Sequence, residues 1–202
     1  MTEYWNHNTA YHRELLAAAQ GQARVLDIGC GDGLLLHKLS VIARQVVGID
    51  SDALTVSRAR KRLAPLPNTE VILGDVMTAA ELDGQHFTLI ACVATLHHLP
   101  LEPALTRLRE LLAPGGQLRI VGLAAHRTIG EWLLSTALIL PLRLLSALHR
   151  ESTYPEMVTA KPDESLADIR RAAATLLPGS RIRRRLYYRY TLTWTAPPDP
   201  DR

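Results

Sequence analysis

"VLDIGCGDG", Val25–Gly33, is the stretch that decides the fold. A short apolar run carries an aspartate at its tip and then gives way to glycines on alternate positions, Gly29, Gly31 and Gly33. A turn of this kind brings backbone close to a ligand, because glycine takes left-handed geometry without steric cost. Two nucleotide readings fail on spacing. A dinucleotide fingerprint needs glycine or alanine where this chain has Leu34, and a Walker loop needs a Lys-Ser/Thr pair that does not follow. Asp27 adds a positive argument: a carboxylate two residues ahead of the first glycine repels a pyrophosphate and attracts an ammonium group.

Working outward, apolar strands and amphipathic helices alternate. Asn8 to Gln20 reads as a helix, with Asn8 or Thr9 as its N-cap and Gly21 just past its end. Ala23–Ile28 is a fully buried strand, and Leu34, Leu35, Leu36, Leu39 and Ile42 mark a helix. Gln45–Asp50 is a second strand, followed by a helix that Asp52 caps and Pro65 stops. Thr69–Asp75 and His86–Ala94 are the third and fourth strands. The helix Glu102–Leu112, a turn at Ala113–Gly116 and a fifth strand at Gln117–Leu123 come next. This order predicts an α/β fold, a doubly wound, Rossmann-like, mostly parallel sheet of six or seven strands with an antiparallel C-terminal strand and helices on both faces. Ligands of such sheets sit outside the carboxyl ends of the strands, where the strand order reverses.

Three carboxylates fall at three consecutive strand ends: Asp27, Asp50 and Asp75. Asp27 suits an ammonium, Asp50 both hydroxyls of a ribose, and Asp75 the exocyclic amine of adenine. The helix N-terminus after the glycines suits a carboxylate. An amino acid joined to adenosine without phosphate meets all of these, and S-adenosylmethionine is such a molecule.

The motifs together resemble the class I S-adenosylmethionine-dependent methyltransferases, in their small bacterial form with "LHHL" after the fourth strand. "VLDIGCGDG", "VVGIDSD", "VILGD", "FTLIACVATLHHL" and "LRELLAPGGQLRIVGL" match the family's motifs in order, over Ala23–Leu123. The resemblance implies that the Gly29–Cys30–Gly31 turn lines the methionine part and that Asp27 meets it. It places the ribose on Asp50 with Ser51 beside the adenine, the adenine edge on Asp75 and Val76, and the sulfonium near Cys92 and Val93. It also implies an N-terminal helix folded over the cofactor, so that Tyr11 and His12 close the pocket; a helix merely docked through Tyr11, Leu15 and Leu16 is the competing expectation. His97 and His98 either take a proton from the acceptor or only shape the pocket.

Length and composition are those of one domain: 202 residues, 47% of them hydrophobic, with a formal net charge of only +3. Within it we expect an N-terminal helical cap (1–22), a cofactor-binding core (23–123), an apolar helical segment (124–179), an antiparallel C-terminal strand (180–196) and a disordered tail (197–202). Cys30 and Cys92 are the only cysteines, without CxxC spacing, so neither a disulfide framework nor a metal site is expected. No secretory signal opens the sequence, and Trp132–Leu142 is shorter than the roughly 20 apolar residues of a membrane span, so the expected location is cytoplasmic.

The acceptor is less legible. Val93-Ala94-Thr95-Leu96 stands where many amino-group nucleic-acid methylases carry N/D-P-P-Y/F, which counts against a nucleic-acid base amine. Thr128–Arg150 is strongly apolar and broken by Pro141. It would serve as an acceptor lid, favouring a small apolar or aromatic molecule, or as a packing or dimer element; the oligomeric state stays open. Ser180–Thr195 alternates arginines with apolar residues and holds no turn former, which predicts one long strand whose arginine face is a solvated edge rather than an RNA track. The leading expectation is methyl transfer to oxygen or nitrogen of a small molecule. An RNA methyltransferase and a non-catalytic S-adenosylmethionine-binding protein are the alternatives.

Overall fold

Strand β1 (Arg24–Ile28) is buried over its last four residues because it has parallel neighbours on both sides. The computed structural model describes residues 6–125, 162–185 and 189–199. Beside β1 lie β2 (Gln45–Asp50) and β4 (Phe87–Val93); β3 (Thr69–Leu73) flanks β2, and β5 (Leu112–Leu123) flanks β4. Two further strands, β6 (Arg181–Arg184) and β7 (Arg189–Thr195), complete a seven-stranded sheet in the order β3-β2-β1-β4-β5-β7-β6. The reversal between β1 and β4 is the switch point at which ligand clefts open in such sheets.

Successive residues of β1 point to opposite faces, and they sort into two cores. Val25 packs with Leu15 and Ala19 of α1 (His12–Ala19), with Leu35, Leu36 and Leu39 of α2 (Leu34–Leu39), and with Leu63 of α3 (Ala53–Leu63). Leu26 and Ile28 pack on the other face with Leu105 and Leu108 of α4 (Leu101–Glu110) and Ile169 and Ala173 of α5 (Leu166–Leu176). Helices therefore cover both faces, as a parallel sheet buried on two sides demands.

Local chemistry explains the helix starts. Asp52 Oδ1 accepts from Leu54 N–H at 3.0 Å and opens α3, as its sequence position predicts. Ser165 and Asp168 form a reciprocal capping box at α5. Before α1 the expected caps differ. Neither Asn8 nor Thr9 caps through its side chain; Asn6 Oδ1 accepts from the N–H groups of Asn8 and Thr9, both at 3.0 Å, and a 3-10 turn at Thr9–Tyr11 precedes the helix.

The expectation of one long C-terminal strand is corrected. Arg181–Arg184 and Arg189–Thr195 are two strands paired antiparallel, with Ile182 opposite Leu192, and Arg185 N–H donates to Arg189 O at 2.8 Å. Both strands keep the period-two pattern, so the alternation alone does not reveal where the chain reverses. Only β7 joins the body of the sheet, antiparallel to β5, and β6 forms the edge with Arg181, Arg183 and Arg184 exposed. Strand β5 also starts earlier than Gln117: Leu112 pairs with Phe87, and the register then shifts before Gln117 meets Leu89. Past Ala196, where the tail is expected to be disordered, Pro197 O accepts from Gly115 N–H at 3.1 Å. The apolar stretch 128–150 and residues 200–202 lie outside the described residues.

Tyr190 fixes β7 to β5. It is 1% exposed, lies opposite Gly122, and its ring occupies the space a Gly122 side chain would need. We predict that Gly122→Ala destabilises the protein by about 1–3 kcal/mol through overpacking, read as a lowered urea midpoint at unchanged slope. An unchanged midpoint would mean that the ring moves aside freely.

Candidate active site

A cleft of about 480 Å³ runs along the carboxyl edge of the sheet. Its lining follows the strand order. Gly74, Asp75 and Val76 come after β3, Asp50, Ser51 and Asp52 close β2, and Gly29 and Gly31 follow β1. Val93, Ala94, Thr95, His97 and His98 come from the end of β4, and Leu123 and Arg189 from the paired ends of β5 and β7. Asn8 joins from the N-terminal segment.

The glycine turn is held by a small set of bonds. Gly29, Gly31 and Gly33 all take positive φ, at 67°, 55° and 77°. Gly29 N–H and Cys30 N–H both donate to Ile49 O, at 2.8 and 3.2 Å. Gly31 N–H donates to Asp50 Oδ2 at 2.9 Å, and Asp50 Oδ1 accepts from Asp52 N–H at 3.0 Å. Two backbone donors thus orient the Asp50 carboxylate, and each oxygen retains a second lone-pair direction for a ligand hydroxyl. A Cβ on Gly29 would overlap the Thr95 side chain, so only glycine admits the loop after β4 this close. That loop is itself bent: Ala94 is the single described non-glycine residue at positive φ, 52°, a conformation that surrounding structure must enforce. Asp32, which sequence reasoning left unassigned, pairs with Arg62 at 2.5 Å and ties the turn to α3.

The structure brings most of the expected site residues to the cleft and sets four apart. Gly29, Gly31, Asp50, Ser51, Asp75, Val76, Val93, His97 and His98 line it. Asp27, Cys30, Cys92 and Tyr11 do not. Asp27 is 2% exposed and penultimate in β1 rather than at its tip. Cys30 and Cys92 are buried, and burial raises both thiols, Cys92 to about 12, so neither is a thiolate at neutral pH. Tyr11 and His12 stand back in the α1 segment, whose contribution to the cleft is Asn8.

Thr95, Leu123, Asn8 and Arg189 are among the lining residues that the sequence reading missed. The signal for Thr95 lay in the glycine turn, which needs a close neighbour to explain it. Arg189 carried none, because it sits in an arginine-rich run that reads as a solvated edge. Arg189 Nη2 donates to Asn8 Oδ1 at 2.7 Å, and nearby Arg185 donates to both carboxylate oxygens of Glu14 at 3.0 Å.

The two histidines form part of a 3-10 turn, Leu96–His98, with ring centroids 4.2 Å apart. Burial, then the His98 and Arg189 charges, pushes His97 down to about 4, so its imidazole is neutral at physiological pH. It is consequently a weak base. Its Nδ1 is buried with no hydrogen-bond partner among the described residues.

Comparison with known proteins agrees with this geometry. Residues 25–116 match the family model described as "Methyltransferase domain". An uncharacterized methyltransferase of Mycobacterium tuberculosis is 36% identical over 200 residues, 98% of this chain and 100% of that protein. A ubiquinone biosynthesis O-methyltransferase of Albidiferax ferrireducens is 34% identical over 104 residues, 50% of this chain and 41% of its own. Among solved structures, the N-methyltransferase NodS of Bradyrhizobium japonicum in complex with S-adenosyl-l-homocysteine superposes with a TM-score of 0.57 at 18% identity. That match covers 94% of this chain and 87% of NodS.

Burial, and secondarily the charge of Asp50, pushes the Asp27 carboxyl from 3.8 up to about 8. A folded-state value above the unfolded one means that stability falls as pH rises between the two values and levels off above the higher. We therefore predict that from about pH 5 to about pH 8 the Tm of the wild type falls more steeply than that of Asp27→Asn, the two profiles running parallel above that interval. Equal slopes throughout would show that Asp27 ionises as easily in the folded chain as in the unfolded one.

Proposed function

This chain belongs to the class I S-adenosylmethionine-dependent methyltransferase family, and we propose that it transfers the methyl group to an oxygen or nitrogen of a small, apolar or aromatic acceptor. The observation that carries this reading is that the lining is continuous from Asp75 to Leu123, so one cavity offers both a carboxylate-lined seat and an apolar-walled space beyond it. Volumes of roughly 300–1,000 Å³ are usual for small-molecule sites.

The residues present fit the cofactor. Asp50, oriented by Gly31 and Asp52 N–H, would accept the ribose hydroxyls. Asp75 and Val76 would take the adenine, and the side-chain-free turn at Gly29 and Gly31 the methionine part. The bound cofactor supplies an activated methyl group on a sulfonium. Val93, Ala94 and Thr95 would then wall the place where cofactor and acceptor meet. Alignment of reactants by such walls is worth about 7–11 kcal/mol in well-oriented reactions, so positioning rather than acid–base chemistry is the protein's main contribution. His97 and His98 would shape the acceptor side; a proton taken by His97 would need a strongly acidic donor. The resemblance to a ubiquinone biosynthesis O-methyltransferase supports an oxygen acceptor. The exposed arginines of β6 do not line the cleft, which sets an RNA acceptor behind a small molecule.

The test supplies methyl-labelled S-adenosylmethionine and host extract to the purified protein, then separates small molecules, RNA and protein. Label is expected among small molecules; label in RNA, or cofactor binding with no transfer to any fraction, overturns the reading. Alongside it, Asp50→Ala is expected to weaken S-adenosylhomocysteine binding by roughly 10- to 150-fold, the loss of a charge-assisted hydrogen bond, measured by calorimetry. Unchanged affinity would move the ribose elsewhere.

A further inference from the structure

Asn8 is held at three points. Its N–H donates to Asn6 Oδ1 at 3.0 Å, its carbonyl accepts from Tyr11 N–H at 3.2 Å, and its side-chain oxygen accepts from Arg189 Nη2 at 2.7 Å. The third bond decides which way the carboxamide faces. A guanidinium only donates, so the atom that meets it is Oδ1, and Nδ2 with its two hydrogens points elsewhere. Among the described residues nothing accepts from Nδ2, although Asn8 lines the cleft. Its place is the end away from the nucleoside seat. Asp50, Asp52 and Asp75 lie over β2 and β3, whereas Arg189 pairs with Leu123 where β5 and β7 meet. The Arg189 charge also reaches His97, which puts this end beside the turn after β4.

A hydrogen bond from a cation to the amide oxygen draws electron density out of the amide, so the Asn8 N–H groups donate more strongly than those of a solvated asparagine. Such a donor suits a carbonyl or anionic oxygen. It does not suit the atom that receives the methyl group. That atom gives up electron density in the transition state, and a bond that is stronger in the ground state slows the step. We propose that Asn8 Nδ2 donates to an oxygen of the acceptor other than the atom that is methylated, and that Arg189 is the positioning residue that aims Asn8 at it. This rests on the small-molecule reading above and adds a second polar group to the acceptor: a carbonyl or anionic oxygen that binds and does not react.

Asn8→Asp separates this role from a structural one. Aspartate keeps an oxygen for Arg189 and pairs with it more strongly, yet has no N–H to offer a ligand. Host small-molecule extract serves as the acceptor pool and methyl-labelled S-adenosylmethionine as the donor, with the extract dilute enough that the rate is proportional to it. Asn8→Asp and Asn8→Ala are both expected to slow transfer into small molecules by roughly 2- to 13-fold, the loss of one hydrogen bond. The Tm of Asn8→Asp and its calorimetric affinity for S-adenosylhomocysteine are expected to stay those of the wild type. Transfer by Asn8→Asp at the wild-type rate overturns the proposal, whatever Asn8→Ala does, and leaves Asn8 a strut for Arg189. Weakened S-adenosylhomocysteine binding overturns it too, because the donor then serves the cofactor. Arg189→Met is expected to slow transfer as Asn8→Ala does, and Arg189→Lys, which still donates to Oδ1, to recover part of the loss; no recovery overturns the positioning role of Arg189. No transfer into small molecules by the wild type fails the earlier reading and this one with it.

Discussion

The absence of a side chain at Gly29 lets the loop after β4 press Thr95 onto the turn after β1, and the rest of the carboxyl edge is built around that contact. Because the two loops touch, the switch point is a wall rather than an open gap, and the cleft must run along it. Ala94 takes left-handed geometry to deliver Thr95 there. Asp50 completes the arrangement from the other side by holding Gly31 through its carboxylate. One residue without a Cβ, one bent alanine and one anchored carboxylate thus set the shape in which a ligand is received.

Electrostatics then follows topology. Strand order puts the acidic ends of β2 and β3 on one side of the contact and the basic start of β7 on the other. No local rule requires this separation. It arises because the parallel half of the sheet contributes strand ends while the antiparallel half contributes a strand beginning, so that Arg189 faces the same edge as Asp50. Asp27 is buried in β1, and burial, then the Asp50 charge, raises its carboxyl to about 8, so at lower pH it adds no second negative charge to that of Asp50.

The parallel core was legible because its signals are local and redundant. Short apolar runs, an Asp52 cap and alternate glycines each constrain a few residues, and each agrees with its neighbours. Asp50 and Asp75 could be placed at or near strand ends by counting, and Ser51 and Val76 followed from the resemblance. Depth could not be counted: Asp27, Cys30 and Cys92 lie one pleat or one residue away from the surface that the motif suggested, and packing decides that. The division of the C-terminal run into β6 and β7 was hidden because its alternation continues through both strands and no glycine, proline, asparagine or aspartate marks the reversal. Arg189 was hidden for a related reason: only strand pairing with Leu123 reveals that one arginine of the run faces the cleft.

The bond between Arg189 and Asn8 joins residues 181 positions apart. During synthesis, β1 to β4 and their helices can pair soon after they leave the ribosome, since their contacts are comparatively local. The wall that carries Arg189 cannot. Until β7 has emerged and settled against β5, the nascent chain holds the glycine turn and its carboxylates but lacks the basic wall that completes the cleft. Assembly of the cleft therefore has an order built into it: the glycine turn and its carboxylates can form before β7 is made, and the wall that carries Arg189 only after it.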